Sequence, residues 1–366
     1  MTPEKESQAV FLWPSLELSV GATLGSVPDL PGLPLVPLRN YLDGLNLMPG
    51  ELSAELARGG FSNLTYLLRS GSERAVLRRP PLGHVLSTAH DMAREFRILS
   101  ALAPTDVPVP KPIHLCQDDA IIGAPFYLME LVEGLTLRSP KETAKISSTL
   151  AKEISHEVMD VLIKLHDVNV DEVGLRDFGR TEGFMARQVD RWSTQLEKSH
   201  SRDLNGVAEL IAGLHAKLPE SKYFSIVHGD YRLDNCIIDP MQTAGNRVRA
   251  VIDWEMSTLG DTYADLGLFV VYWDGVQEMA NSPLANGITR AGGFPSAHEL
   301  LEYYSAKTGK DLSQINWYIA FGYFKLAVIA EGIHYRYIAG KTVGNDFNVV
   351  GSLVEPLIAA GLDQLR

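Results

Sequence analysis

Cysteine is almost missing from the chain: Cys116 and Cys236 are the only two among 366 residues. Far apart and without metal-type spacing, they exclude a disulfide framework and point to a reducing compartment. Each reads as a small buried apolar residue. Long apolar runs are missing too. The longest, such as residues 266–273, fall well short of the roughly 20 residues that cross a bilayer. The start, with Glu4, Lys5 and Glu6, lacks the basic-then-apolar order of a secretory signal. A cytoplasmic protein with no membrane association is therefore expected. Positive charge is in deficit: the formal net charge is −12, which argues against a protein that holds nucleic acid through its phosphates. Several catalytic signatures are absent as well. Gly340-Lys341-Thr342 has the ending of a P-loop, but Tyr335 stands where the first glycine belongs. There is no His-Glu-x-x-His zinc motif and no Gly-x-Ser-x-Gly nucleophile elbow.

What is present is an ordinary globular composition, 45% hydrophobic and 21% charged. The length suits two packed lobes rather than one small core. Residues 1–36 read as an arm. Pro28, Pro31, Pro34 and Pro37 recur at every third position, the period of a polyproline II strap lying on the body, with a docking ligand as the alternative. Arg69, Arg74, Arg78, Arg79, Arg94 and Arg97 cluster in one stretch, which for most of them reads as a solvated face.

A short helix is expected over residues 38–45. Strands over 64–69 and 75–77 flank a turn at Ser70-Gly71-Ser72. Residues 87–103 have helical periodicity, with Met92, Phe96, Leu99 and Leu102 on one face and Pro104 ending the run. A strand follows over 124–131. Beyond it the pattern turns helical, over 146–167, 184–199 and 204–218. Short strands are expected at 225–227, 236–238 and 249–252, and then helices to the end. Strand-rich then helix-rich order implies an α+β protein of two lobes: an arm over 1–36, a nucleotide-binding N-lobe over 37–132, and a helical C-lobe over 133–366.

The most informative segment is Val227-His228-Gly229-Asp230-Tyr231-Arg232-Leu233-Asp234-Asn235-Cys236-Ile237-Ile238. An apolar strand runs into His-Gly-Asp, an Asn follows five residues after the Asp, and a second apolar strand begins. Eighteen residues past Asn235, Val251-Ile252-Asp253 again ends an apolar strand on Asp. Phosphoryl transfer from ATP needs hard oxygen ligands for magnesium and a carboxylate that takes or orients the proton of the attacking hydroxyl. Asp230 suits the second task; Asn235 and Asp253 suit the first.

These residues resemble the catalytic loop and metal-binding Asp of the aminoglycoside phosphotransferase and choline kinase superfamily, distant relatives of protein kinases. The resemblance implies the two-lobed protein-kinase-like fold, ATP and magnesium as cofactors, and a small-molecule hydroxyl as acceptor. It also implies hydroxyl positioning by Asp230, magnesium binding by Asn235 and Asp253, and a supporting role for His228. Further matches follow from position. Gly59, Gly60, Ser62 and Asn63 precede a strand as a phosphate cover would. Arg78 stands where kinases place Lys, with Arg79 as the neighbouring alternative, and Glu95 resembles its acidic partner. Glu130, Leu131 and Val132 resemble the hinge whose backbone faces adenine. Asp265, in Gly260-Asp261-Thr262-Tyr263-Ala264-Asp265, is expected to brace the catalytic loop, and Asp261 to cap the next helix.

Residues 317–337 form one aromatic-rich helical run, mostly core. With Val76-Leu77-Arg78-Arg79-Pro80-Pro81 and Arg94-Glu95-Phe96-Arg97-Ile98-Leu99, it resembles the branch fused to or associated with acyl-CoA dehydrogenases. The likeness spans roughly residues 36–340 and implies a hydroxyacyl-CoA acceptor and a functional link to an acyl-CoA dehydrogenase. Lys325, His334 and Arg336 are expected either to meet an anionic CoA or to face water. The alternatives are an aminoglycoside kinase and a non-catalytic nucleotide-binding protein on the same fold, the latter kept open by Arg at position 78.

Overall fold

The computed structural model describes residues 19–23, 30–57, 63–82, 91–199, 201–277, 279, 287–340 and 346–366. In chain order the elements are β1 (Ser19–Thr23), α1 (Leu35–Gly44), β2 (Leu52–Leu56), β3 (Leu64–Ser70), β4 (Glu73–Arg79), α2 (Met92–Leu102), β5 (Pro112–Cys116) and β6 (Phe126–Glu130). There follow α3 (Pro140–Thr143), α4 (Ser148–His166), α5 (Phe184–Ser199), α6 (Val207–Ala216), β7 (Phe224–Val227), β8 (Cys236–Ile238), β9 (Val248–Val251) and β10 (Thr258–Asp261). The chain ends in α7 (Tyr263–Val270), α8 (Ala297–Thr308), α9 (Ile315–Ile338) and α10 (Val354–Gln364). The fold is the α+β kinase-like arrangement expected from the sequence. Its described residues divide into two compact units, one reaching to Thr136 and including 237–242 and 248–255, the other holding the remainder.

The first unit is built on a six-stranded sheet, order β1-β2-β3-β4-β6-β5, with every neighbouring pair antiparallel. A two-residue turn, with Gly71 at φ +57°, joins β3 to β4, a backbone setting glycine adopts freely. Alternation along the strands sorts the side chains. Tyr66, Leu68, Ala75 and Leu77 share one buried cluster with Leu38 and Leu42 of α1. Arg79 lies on that side and Arg78 on the other. Both are buried, so neither belongs to a solvated face.

Helix α1 starts at Leu35, three residues before its expected start, because Pro37 falls in its first turn, where a missing N–H costs nothing. The polyproline strap also needs correction. Pro31 and Gly32 sit in a tight turn closed by Leu33 N–H donating to the Leu30 carbonyl at 2.9 Å, with Gly32 at φ +73°. Leu30 and Leu33 are buried, so this part of the arm is core. Residues 1–18 and 24–29 of the arm, and 87–90 of the expected helix before α2, lie outside the described residues. Helix α2 is capped by Asp91, whose carboxylate accepts from Arg94 N–H at 3.0 Å.

The second unit is mainly helical. Ser147 caps α4 by accepting from Leu150 N–H. Helix α6 starts three residues later than expected because Gly206, at φ +79°, cannot belong to it. Strands β7 and β10 pair antiparallel as a small platform. Helix α9 is buried along most of its 24 residues, with α5, α7 and α10 packed on it. No helix among the described residues is long and apolar enough to cross a membrane.

Helices α7 and α9 meet at glycine. A Cβ on Gly267 would lie 2.2 Å from the Tyr318 carbonyl oxygen, and one on Gly322 would lie 3.1 Å from the Gly267 carbonyl oxygen. Gly267→Ala is expected to destabilise the protein by about 1–3 kcal/mol through overpacking, read as a lower urea midpoint. An unchanged midpoint would contradict this close crossing.

Candidate active site

In the first unit, β4 carries Arg78 beside Tyr127 of β6 and under Glu95 of α2. The guanidinium Nε is 3.4 Å from Glu95 Oε2, and Nη2 is 3.1 Å from Asp253 Oδ1 and 4.0 Å from Glu255 Oε2. Glu95 accepts from Asn63 Nδ2 at 2.7 Å and from the Tyr127 hydroxyl at 2.9 Å. Asn63 also donates to Glu255 at 3.0 Å. Burial works against the charge on Arg78, but Glu95, Tyr127, Asp253 and Glu255 outweigh it and hold its pKa well above the ordinary value. Burial raises the Glu95 carboxyl, and Arg78 restrains the rise.

Asp253 follows β9 with a left-handed backbone, φ +68°. This uncommon conformation, better tolerated by Asp than by most residues, is a form of strain that concentrates at functional sites. Arg79 faces away from this group. It donates to the carbonyls of Pro80, Gly32 and Ile122, so it holds loops and Arg78 alone joins the carboxylates. Of the hinge residues, Glu130 is exposed, Leu131 buried and Val132 half-buried; Glu130 N–H donates to the Lys111 carbonyl at 2.8 Å. Gly59, Gly60 and Ser62 lie outside the described residues.

In the second unit, β7 delivers the His228–Asn235 loop. The N–H groups of His228 and Gly229 donate to the two oxygens of Asp265 at 2.7 and 2.8 Å. Asp265 sits 3.4 Å from His166 Nε2, and His166 Nδ1 is 3.0 Å from the Tyr304 hydroxyl. Gly229 has φ +83°, and a Cβ there would lie 2.7 Å from the Met256 carbonyl oxygen, so the position demands glycine. Asp230 N–H donates to His228 Nδ1 at 3.2 Å, so the His228 ring supports the backbone of this loop. Asp261 accepts from Tyr263 N–H at 3.0 Å at the start of α7.

Around the Asp230 carboxylate, Arg232 Nε is 3.5 Å from Oδ2 and 3.1 Å from Asp234 Oδ1. Burial alone would raise its pKa, but Arg232, Lys325, His228 and the Tyr272 hydroxyl hold Asp230 below the usual carboxylate range. It is therefore an ionised acceptor at neutral pH. Asn235 Nδ2 donates to the Asp230 carbonyl at 2.9 Å and to Oδ2 at 3.1 Å.

Among the described residues no group of three or more His, Cys, Asp or Glu side chains is arranged to hold a metal by itself. The donor chemistry nonetheless fits magnesium. Asn235 in the second unit and Asp253 in the first each carry a hard oxygen of the kind a divalent cation such as magnesium accepts. The Arg78 group also sets three carboxylates against one guanidinium, a local excess of negative charge.

The sequence reading missed Glu255, Tyr127, His166 and Tyr304. Glu255 was visible as the third residue of Asp253-Trp254-Glu255. Lys325 requires correction. It faces neither water nor an open anion site: it is buried and donates to the Gly229 carbonyl at 2.5 Å. The signal was one cation inside an apolar helix.

Known proteins resemble this chain in sequence and fold. The phosphotransferase enzyme family model matches residues 53–302. Human acyl-CoA dehydrogenase family member 11 is 34% identical over 331 residues, covering 89% of this chain and 42% of its own. Mouse acyl-CoA dehydrogenase family member 10 is 33% identical over 370 residues, covering 99% and 34%. A solved Ralstonia eutropha protein, provisionally named an aminoglycoside phosphotransferase, is 31% identical with a TM-score of 0.76, covering 91% of this chain and 98% of its own. Aminoglycoside phosphotransferase APH(4)-Ia, solved with ADP and hygromycin B, shares the fold at 11% identity and a TM-score of 0.58, covering 88% and 98%. The chain belongs to the phosphotransferase enzyme family. It spans about two fifths of the length of the family member 11 relatives it matches.

Two predictions follow from the geometry. Arg78→Met strands Glu95 in a buried site and is expected to cost on the order of 3–5 kcal/mol, measured by urea unfolding, with part recovered in a double variant that adds Glu95→Gln. A cost below about 1 kcal/mol would place the pair among weak surface bridges. His166, although paired with Asp265, titrates in the opposite sense to a histidine whose pKa its partner raises. Burial lowers its folded-state pKa, and Asp265 only partly offsets this. The unfolded chain therefore takes the proton first, near pH ~6.5. Stability from this group is full above that pH and lost as pH falls below it. Wild type should lose more stability than His166→Gln between about pH 7.5 and 5.5; parallel losses would exclude the effect.

Proposed function

We propose that this protein is an ATP- and magnesium-dependent phosphotransferase that moves the γ-phosphoryl group to a hydroxyl of a small molecule, and that the acceptor is a hydroxyacyl-CoA. The observation that carries the chemistry is Asp230, an ionised carboxylate on a loop whose backbone is tied down at His228, Gly229 and Asp230. A protein that only bound nucleotide would need no such group. The acceptor class is supported by the acyl-CoA dehydrogenase names of the curated relatives. An aminoglycoside acceptor is the second reading, favoured by the name of the Ralstonia eutropha protein.

In this reading Asp230 accepts a hydrogen bond from the acceptor hydroxyl and orients it for in-line attack. Asn63 and Arg78, with Gly59, Gly60 and Ser62, receive the nucleotide phosphates, and Arg78 is kept charged for that contact by Glu95. Backbone groups of Glu130, Leu131 and Val132 meet the adenine edge. Asn235 and Asp253 hold magnesium, which when bound neutralises charge on the phosphate oxygens. No covalent enzyme intermediate is required.

The test is magnesium-dependent transfer of labelled γ-phosphate from ATP to hydroxyacyl-CoAs, aminoglycosides and amino alcohols. Transfer to hydroxyacyl-CoAs is expected, reduced about 10²–10⁴-fold in Asp230→Ala. A wild-type rate in that variant would remove Asp230 from its role. Transfer to aminoglycosides alone would select the second reading, and ATP binding without transfer to any acceptor would favour a non-catalytic protein.

A further inference from the structure

One buried cation that this mechanism leaves unused is Lys325. It lies on α9 among apolar and aromatic side chains and is 7% exposed. Among the described residues no carboxylate lies within salt-bridge distance of it. A buried ammonium without a close counter-ion is costly, so its partners identify what it serves. Its Nζ donates to the Gly229 carbonyl at 2.5 Å and lies 5.3 Å from the centroid of the Trp192 ring of α5, a cation–π distance. Asp230 and Asp265 act on it from further away, and Arg191 opposes them.

The Gly229 carbonyl belongs to the peptide group that joins Gly229 to Asp230. The N–H of that peptide donates to His228 Nδ1. The preceding peptide gives its N–H to Asp265. Lys325 thus holds the carbonyl of the peptide whose N–H is held by His228, and the peptide plane that leads into Asp230 is held at both ends. A leucine or methionine at this place in α9 could not donate to a carbonyl oxygen.

We propose that Lys325 is a positioning residue for phosphoryl transfer, fixing the Gly229–Asp230 peptide from helix α9 so that the Asp230 side chain is presented in one orientation. This rests on the reading of Asp230 as the group that orients the acceptor.

The test uses the full chain as wild type, Lys325→Met and Lys325→Arg. Hydrogen exchange measured by mass spectrometry reads the loop whether or not the protein turns over. In Lys325→Met, exchange in peptides covering residues 227–235 is expected to rise about tenfold, with peptides from α4 and α9 unchanged, and Lys325→Arg is expected to restore part of the protection. With magnesium, ATP and the hydroxyacyl-CoA panel, kcat should fall by about 10–10²-fold in Lys325→Met while KM for ATP stays within about twofold. Wild-type exchange in the loop of the Met variant would overturn the proposal. So would exchange that rises equally in α9 of either variant, which would make Lys325 a general stabiliser of the fold. Absence of turnover in the wild type would count against the phosphotransferase reading, while the exchange result would still decide whether Lys325 holds the loop.

Discussion

Two backbone N–H groups, those of His228 and Gly229, end on the carboxylate of Asp265, and the chemistry of the second unit depends on that contact. A strand that stops abruptly leaves donors without partners, and burying them unpaired is costly. Asp265 satisfies both and gains, from the first turn of α7, the favourable end of a helix dipole. Its own burial is tolerated because His166 lies beside it and Tyr304 fixes the ring. The β7–β10 pairing sets Val227, the end of β7, beside Thr258, and Phe224 beside Asp261, from which the chain enters α7. Supersecondary structure, one carboxylate and one imidazole therefore set the backbone path on which Asp230 stands.

Much of this was legible before the fold was known. The spacing of Asp230, Asn235 and Asp253 stands out because each lies beside an apolar strand, and the strands fall there as β7, β8 and β9. Strand β8 and helix α5 have the expected limits, and α9 extends the aromatic run by only a residue or two at each end. Other features were hidden for physical reasons. The start of α1 depended on Pro37 tolerating the first turn, which a breaker rule reads as an interruption. The turn at Pro31–Gly32 depends on tertiary partners, since the Tyr66 hydroxyl donates to the Pro31 carbonyl and Arg79 to that of Gly32. His166 ends a long helix and looks like an ordinary cation in a last turn; only the packing of α7 and α8 against α4 gives it a partner at each nitrogen. Lys325 was misread because a charge on a helix is usually a surface feature, and its partner is a backbone oxygen with no sequence signature.

The departure at position 78 also has a physical account. A lysine ammonium is a compact point charge on a flexible stem, suited to one acidic partner and one phosphate. Here three carboxylates converge. The guanidinium is planar and divides its contacts: Nε approaches Glu95, while Nη2 approaches Asp253 and, at the limit of an ion pair, Glu255. Asn63 completes the group by donating one amide to both Glu95 and Glu255. A single ammonium at the end of β4 could not span this arrangement without leaving an acidic group unpaired. Arginine in place of lysine is thus matched to Glu255, and the two residues form one local solution to holding Glu95 and Asp253 close together. That match weakens the argument that arginine here marks a lost activity: the positive charge is retained, its pKa is raised rather than lowered, and the side chain keeps the donor geometry that recognises phosphate in two-point fashion.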